Sequence, residues 1–164
     1  MTAAPPDLET RLAESDHESL RLWLRLFTCV QLLERRVRGQ LRRKFGTTLA
    51  RFDLMAQLDR HREGLRMGEL SQRLMVTGAN ITGLTDQLAA EGLVERKPLP
   101  GDRRAALVRL TPAGRKTFER MARVHEGWII DLLAGLTPGE RTRLHELLGK
   151  VKQHVQAHHT LEEE

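Results

Sequence analysis

Apolar residues in the middle of the chain fall in two short periodic sets: Leu70 and Leu74, then Ile81, Leu84 and Leu88. Spacings of three or four fit one face of a helix in each set. Between them Met75, Val76 and Thr77 form a short turn. Two short helices joined by a few residues make a helix-turn-helix, whose second helix can enter the DNA major groove. Glu91-Gly92 ends the second helix, with Gly92 able to take the left-handed conformation there. Residues 93–97 read as a strand, Pro98, Pro100 and Gly101 as a turn, and residues 105–110 as the returning strand. Asp102, Arg103 and Arg104 are expected at the tip of this hairpin, which stands where a wing would.

Longer helical patterns flank this centre. Residues 1–15 are weakly patterned and read as a flexible arm. Ser15 followed by Glu18 fits a capping box for a first helix running to about Lys44. Its apolar positions (Leu20, Trp23, Leu24, Phe27, Val30, Leu33, Val37, Leu41) form a stripe too wide for one neighbour. Thr48 can cap a second helix with Phe52, Leu54, Met55 and Leu58 buried, and residues 61–64 read as a polar loop. The third helix is expected from about Met67 to Met75 and the fourth from about Thr77 to Glu91. Thr111-Pro112 opens a fifth helix carrying Phe118, Met121, Val124, Trp128, Ile129, Leu132 and Leu133, ended by Gly135. Thr137-Pro138-Gly139-Glu140 opens a sixth, expected to bury Leu144, Leu147, Leu148, Val151 and Val155. Residues 158–164 read as a frayed tail.

The fold class that follows is mainly α with a small β-hairpin wing. A winged helix-turn-helix lobe over residues 46–111 is flanked by helical dimerisation segments at 16–45 and 112–158. The terminal helices cannot hide their apolar faces against so small a lobe. Pairing two chains through the first, fifth and sixth helices would bury them. It would also put two recognition helices about a two-fold axis, over a palindromic site with half-sites about 10 bp apart.

On the fourth helix Asn80, Thr82, Gly83, Asp86 and Gln87 alternate with the apolar set and so point outward, behind Thr77 as N-cap. Asn80 suits an adenine edge and Thr82 a thymine methyl, while Gly83 lets the backbone come close. Asp86 is ill placed against phosphate and is expected to pair with an arginine. Arg103 and Arg104, after a helix-turn-helix, suit phosphates or a narrow minor groove better than a plain solvated turn.

Composition narrows the classes. The 164 residues are 40% hydrophobic, enough for a core, but only 4% aromatic. The net charge of +5 favours a polyanion. Charge alone would also fit RNA or an anionic membrane. A single cysteine excludes an intrachain disulfide framework and a cysteine zinc site. No signal pattern opens the chain, and no apolar run approaches the roughly 18 residues of a membrane span, so a cytoplasmic protein is expected. His145-Glu146 begins a zinc-protease motif, but Gly149 stands where the second histidine must be. No nucleophile elbow, phosphate loop or dinucleotide fingerprint is present, so no catalytic residue and no cofactor is assigned. His154 and His158 stand one turn apart without an obvious third ligand, so no metal is assigned. Cys29 lies on the apolar stripe and reads as a small buried hydrophobe, since redox sensing needs an exposed thiolate. The basic end of the first helix (Arg35, Arg36, Arg38, Arg42, Arg43, Lys44) reads equally as a solvated face complementing the helix C-terminus and as an anion site.

Several segments together resemble the MarR family of bacterial transcription regulators: Glu69-Leu70-Ser71, ITGLTDQL from Ile81 to Leu88, Glu91-Gly92-Leu93-Val94, Asp102-Arg103-Arg104 and Val108-Arg109-Leu110-Thr111. The resemblance extends over about residues 20–155. The chain departs from it at Met75, where the turn often has Gly, and at Gly83 and Gln87, where the recognition helix often has Arg. The resemblance implies a dimeric winged helix-turn-helix protein on double-stranded DNA, usually a repressor released by a small ligand. By the same resemblance Arg104 is the wing arginine inserted into DNA, and Asp102 orients it through an ion pair. A ligand pocket would lie between dimer helices and DNA lobe, with Trp23, Phe27, Phe52 and Met55 as apolar wall and Arg36 and Arg38 neutralising an anion. The segment TLARFDLMAQLDR (residues 48–60) is similar to members controlling aromatic-acid breakdown, which implies an anionic aromatic effector or its CoA thioester. The competing readings are an architectural DNA protein without a ligand and a redox-sensing repressor acting through Cys29.

Overall fold

The computed structural model describes residues 18–99 and 102–159. The order is α1 (Glu18–Phe45), α2 (Leu49–Arg60), β1 (Leu65–Arg66), α3 (Met67–Leu74), α4 (Gly78–Ala90), β2 (Val94–Leu99), β3 (Asp102–Leu110), α5 (Pro112–Leu132) and α6 (Pro138–His159). The described residues up to His125 form one compact unit, and those from Glu126 onward form a second. The expected arm, the Ser15 cap, Pro100 and Gly101 lie outside the described residues, as do the side chains of Asp102, Arg103, Arg104, His158 and His159.

Local signals start and stop the helices as their chemistry requires. The Thr48 hydroxyl accepts the Arg51 N–H at 3.3 Å, which satisfies one of the orphan donors opening α2. Glu69 reaches back to the Arg66 N–H at 2.7 Å ahead of α3. Thr137 and Glu140 form a reciprocal capping box at α6: the Thr137 N–H donates to the carboxylate at 2.8 Å, and the Glu140 N–H donates to the Thr137 hydroxyl at 3.3 Å. The Thr137 N–H and the Thr137 hydroxyl both donate to the Glu140 carboxylate at 2.8 Å and hold it below its usual pKa. At the end of α4 Gly92 adopts φ +70, and the Leu93 N–H bonds the Leu88 carbonyl at 2.9 Å, the long bond of a Schellman motif.

The core of the first unit is aliphatic. Leu41, Leu54, Met55, Leu58, Leu70, Ile81, Leu88 and Val108 are essentially sealed from solvent. They come from α1, α2, α3, α4 and β3, so each helix of the lobe places one stripe in the same interior. The α4 stripe departs from expectation. Thr85 is fully buried and Leu84 only partly. The Thr85 hydroxyl is satisfied by the Ile81 carbonyl one turn back at 2.7 Å, so this polar group costs the core little.

The sheet differs from the expected two-stranded hairpin. It has three antiparallel strands in the order β1-β3-β2, with Leu65 opposite Val108 and Val94 opposite Leu110. Two residues of β1 are too few to show periodicity. Pro98 belongs to β2 rather than to the turn, which an edge strand tolerates because it needs no donor on its outer side. The register then jumps from Pro98 opposite Ala106 to Leu99 opposite Asp102. Asp102, Arg103 and Arg104 therefore belong to the β3 arm of the wing rather than to its turn, with residues 103–105 skipped by the pairing.

Exposure is uneven along the outer helices. In the single chain Leu144, Leu147, Leu148, Val151 and Val155 of α6 are between 39% and 51% exposed, their expected burial being against a second copy. On α1, Leu20, Leu22, Trp23, Phe27 and Val30 are exposed too. Cys29 is also exposed, not a buried hydrophobe.

One close approach joins α5 to the lobe. A Cβ on Gly114 would lie 1.8 Å from the Leu93 carbonyl oxygen, and both groups are held by backbone. Gly114→Ala is therefore expected to destabilise the fold by about 3 kcal/mol or more, since no rotamer change can relieve the clash. Denaturant midpoints of wild type and variant measure it; a loss below about 1 kcal/mol would show the junction to be soft.

Candidate nucleic-acid interface

The helix-turn-helix is shaped by a backbone conformation unusual for its sequence. Met75 sits at φ 52, ψ 40, in the left-handed region, and its side chain is 94% exposed. This is the turn position where Gly would be the comfortable residue. The bend is held by the Met75 N–H on the Gln72 carbonyl at 3.2 Å, the Val76 N–H on the Ser71 carbonyl at 3.1 Å and the Ser71 hydroxyl on the Val76 carbonyl at 2.5 Å. Thr77 then caps α4, its hydroxyl accepting the Asn80 N–H at 3.4 Å.

The outward face of α4 carries every residue singled out there. Thr77, Asn80, Thr82, Gly83 and Gln87 are all exposed. The Thr82 hydroxyl donates to the Gly78 carbonyl at 2.9 Å, which leaves its methyl and an oxygen lone pair for a partner. Nothing lies within 4 Å of a Cβ built on Gly83, so the fold does not require glycine there. Asp86, the one carboxylate on this face, is paired as expected: Arg96 of β2 donates to it at 2.5 Å. That pair neutralises Asp86 and links the recognition helix to the wing. Of the wing residues, Arg103 and Arg104 are placed by their backbone in β3, and the expected Asp102–Arg104 ion pair lies outside the described side chains.

The lobe behind this face is tied by ion pairs that sequence reasoning missed. Arg51 of α2 reaches Glu91 at the end of α4, Arg115 of α5 bonds Asp59 of α2 at 2.6 Å, and Arg109 bonds its cross-strand partner Glu95 at 2.5 Å. Separations of 40 and 56 residues leave no local pattern from which the first two could be read.

The expected ligand wall does not assemble. Phe52 and Met55 belong to the core, where the Phe52 ring packs on Phe118 with centroids 5.4 Å apart and on His125 at 4.7 Å. Burial there pushes the His125 pKa down. Trp23 and Phe27 instead stand exposed on α1, edge to face with each other at 5.0 Å. Arg36 and Arg38 cannot converge on one anion, because two residues along a helix turn the direction by about 200°. Arg38 alone of the two lines a cleft of about 190 Å³, with Glu34, Asp53, Leu49, Leu74, Val76 and Leu84 among its walls. The cleft thus joins α1 and α2 to the turn and recognition helix. Arg38 is engaged there by Glu34, with Nε donating at 3.0 Å.

Burial first, and then the Glu34 carboxylate, push the Asp53 carboxyl above its ordinary pKa, with Arg38 opposing. A raised folded-state value means that the folded chain holds this proton more tightly than the unfolded chain does. Ionised Asp53 therefore subtracts from stability above its folded pKa, and the penalty fades as pH falls through that value towards the unfolded one. Asp53→Asn is expected to raise the melting temperature at pH 7, with the gain shrinking on acidification towards pH 4. Melting curves across that range test it, and a variant less stable than wild type at pH 7 would contradict the burial argument.

Comparison with known proteins agrees with this architecture. A profile of the MarR family matches residues 45–105. The HTH-type transcriptional repressor YetL of Bacillus subtilis is 31% identical over 84% of this chain and 82% of its own length. A MarR family transcriptional regulator from Silicibacter pomeroyi superposes with a TM-score of 0.72 at 30% identity, covering 88% of this chain and 99% of that one. Sco3205, a MarR family regulator from Streptomyces coelicolor solved in complex with DNA, gives 0.75 at 26% identity over 89% and 92%. The chain belongs to the MarR family of winged helix-turn-helix, DNA-binding transcriptional regulators.

Proposed function

We propose that this regulator is a homodimeric repressor of a palindromic operator, released by a small effector. The observation that carries the reading is the two-sidedness of α4. Ile81, Thr85 and Leu88 are locked in the core, while Asn80, Thr82, Gly83 and Gln87 stand outward without carboxylate competition. In this reading Asn80, Thr82 and Gln87 read base edges from the major groove, Thr77 fixes the start of the helix, and Arg103 and Arg104 reach the minor groove.

Dimerisation is supported by the apolar residues that one chain leaves in water. Trp23 is 49% exposed, and α6 keeps Leu144, Leu147, Leu148, Val151 and Val155 at its surface. Contiguous apolar faces of this kind mark an interaction site rather than ordinary surface. A two-fold axis through such an interface repeats the recognition helix and therefore the half-site.

Effector response is supported by the cleft of Glu34, Arg38 and Asp53, which touches α1, α2, the turn and α4 at once. A molecule lodged there biases the lobe's arrangement by its differential affinity for two states. An aromatic acid, or its CoA thioester, would take Arg38 from Glu34, exchanging one carboxylate partner for another.

Gly83→Ala separates function from fold. It is expected to stabilise the chain by about 0.5–1 kcal/mol as a better helix former, yet weaken operator binding by keeping the backbone away from the groove. Unchanged binding would remove Gly83 from the interface. Arg104→Ala is expected to cost more than about 1 kcal/mol of specific binding. The direct test is binding to the fragment upstream of the protein's own gene, with excess competitor DNA, with and without aromatic acids and their CoA thioesters. Binding that survives competitor and is relieved by one compound supports the proposal. Binding to no fragment in preference to competitor would favour an architectural protein. Release by mild peroxide in wild type but not in Cys29→Ser would instead point to redox control.

A further inference from the structure

Met75 departs from ordinary surface in two independent ways. Among the described residues it is the one non-glycine at positive φ. It is also 94% exposed, whereas the other large apolar side chains left in water among the described residues stand on α1, α5 or α6 and are at most 59% exposed. An exposed apolar residue by itself is ordinary. A left-handed backbone under a side chain is not: it costs stability and persists only where its surroundings hold it. The bonds that hold this bend run between backbone groups and the Ser71 hydroxyl, and none uses the Met75 side chain. Glycine would take the same turn without strain and without apolar surface. The fold thus supplies no reason for the side chain, which leaves a partner outside the chain.

The bend fixes where that side chain stands. Leu74 and Val76 on either side of it are partly buried and line the cleft of about 190 Å³, while Met75 between them turns into water. Thr77, the N-cap of α4, follows two residues later, at most about 7 Å away. Gly78, Ala79 and Asn80 continue the exposed run. Met75 therefore extends the outward surface of the recognition helix beyond its N-terminus. A helix that meets base edges with its N-terminal residues brings such an extension against the nucleotides beside those it reads. A thioether has no donor and is only a weak acceptor. The one apolar group that a base edge offers in the major groove is the thymine methyl. Three rotatable bonds let a methionine follow such a target. Resting on the reading that α4 enters the major groove, we propose that Met75 is a specificity-determining residue. It packs on the methyl group of a thymine that flanks the bases read by Asn80, Thr82 and Gln87.

The test selects binding sites for the full-length protein from a library of random duplexes, in parallel for wild type, Met75→Gly and Met75→Leu. Melting curves confirm that each variant folds. Met75→Asn, which also tolerates the left-handed backbone, replaces Met75→Gly should that variant fail to fold. Wild type and Met75→Leu are expected to enrich the same half-site, with a thymine at its flank. Met75→Gly is expected to keep the inner letters, lose that thymine and melt no lower than wild type. In the selected duplex the same thymine is then replaced by deoxyuridine, which removes only the methyl. Wild type is expected to lose about fourfold in affinity, the worth of roughly one buried methyl group, and Met75→Gly to lose nothing. The proposal is overturned if Met75→Gly selects the same letters as wild type at every position. It is overturned too if Met75→Gly binds all duplexes more weakly by one common factor, which would put the side chain on sugar and phosphate rather than on a base. Should wild type enrich no sequence, base reading by α4 fails and the Met75 contact with it. A site shared by wild type and Met75→Gly sinks the contact alone.

Discussion

The structure depends on one small junction, where the recognition helix ends and the fifth helix begins. The Thr111 hydroxyl donates to the Gly92 carbonyl at 2.7 Å and accepts the Gly114 N–H at 3.0 Å, while its own N–H bonds the Leu93 carbonyl at 3.1 Å. Gly114 lets α5 lie directly on that carbonyl. Four element ends are thereby fixed within a few bonds: the C-terminus of α4, the start of β2, the end of β3 and the start of α5. Side-chain packing could slide by fractions of an ångström, but a backbone junction cannot. The angle between recognition helix and wing follows from it, and the Arg96–Asp86 pair braces the same angle from the solvent side.

The lobe's electrostatics serve that geometry. Among the described side chains, three acidic groups on and around α4 and β2 are each paired with an arginine: Asp86 with Arg96, Glu91 with Arg51, Glu95 with Arg109. Exposed pairs of this kind contribute little stability, often below about 1 kcal/mol. Their larger effect is to leave the outward face of α4 free of repulsion towards phosphate. The half-buried Asp53 is the exception. Its burial costs stability, as buried charge does without strong compensation, and it does so inside the cleft that borders both α1 and the helix-turn-helix. Groups that cost stability without serving the core are where functional chemistry is often found.

The terminal helices present a different balance. Val37 and Leu41 anchor the second half of α1 in the lobe, whereas its first half keeps Trp23 and Phe27 in water. Their edge-to-face contact recovers only part of what burial would give. The same holds along α6, whose apolar residues have one side covered at best. A chain with such faces gains from a second copy in proportion to the apolar area withdrawn from water, about 25 cal/mol per Å² before association costs.

Much of this was legible in the order of residues. Helix starts at Thr48, Thr77, Thr111 and Thr137, the stop at Gly92, the outward face of α4 and the pairing of Asp86 with an arginine all follow from capping chemistry and helical periodicity, which act within one or two turns. What could not be read there was whatever joins residues far apart. The short β1 exists only because β3 offers it hydrogen bonds, and Thr85 is buried only because α4 rotates to fit the lobe. Phe52 and Met55 went to the core rather than to a pocket, and Arg38 to a cleft that Arg36 does not line. Sequence by itself determined where helices begin and end and which of their faces are apolar, because those terms are local. Tertiary structure decided which apolar residues meet and which stay in water, and where charges converge, because burial and ion pairing depend on distances that only the folded chain defines.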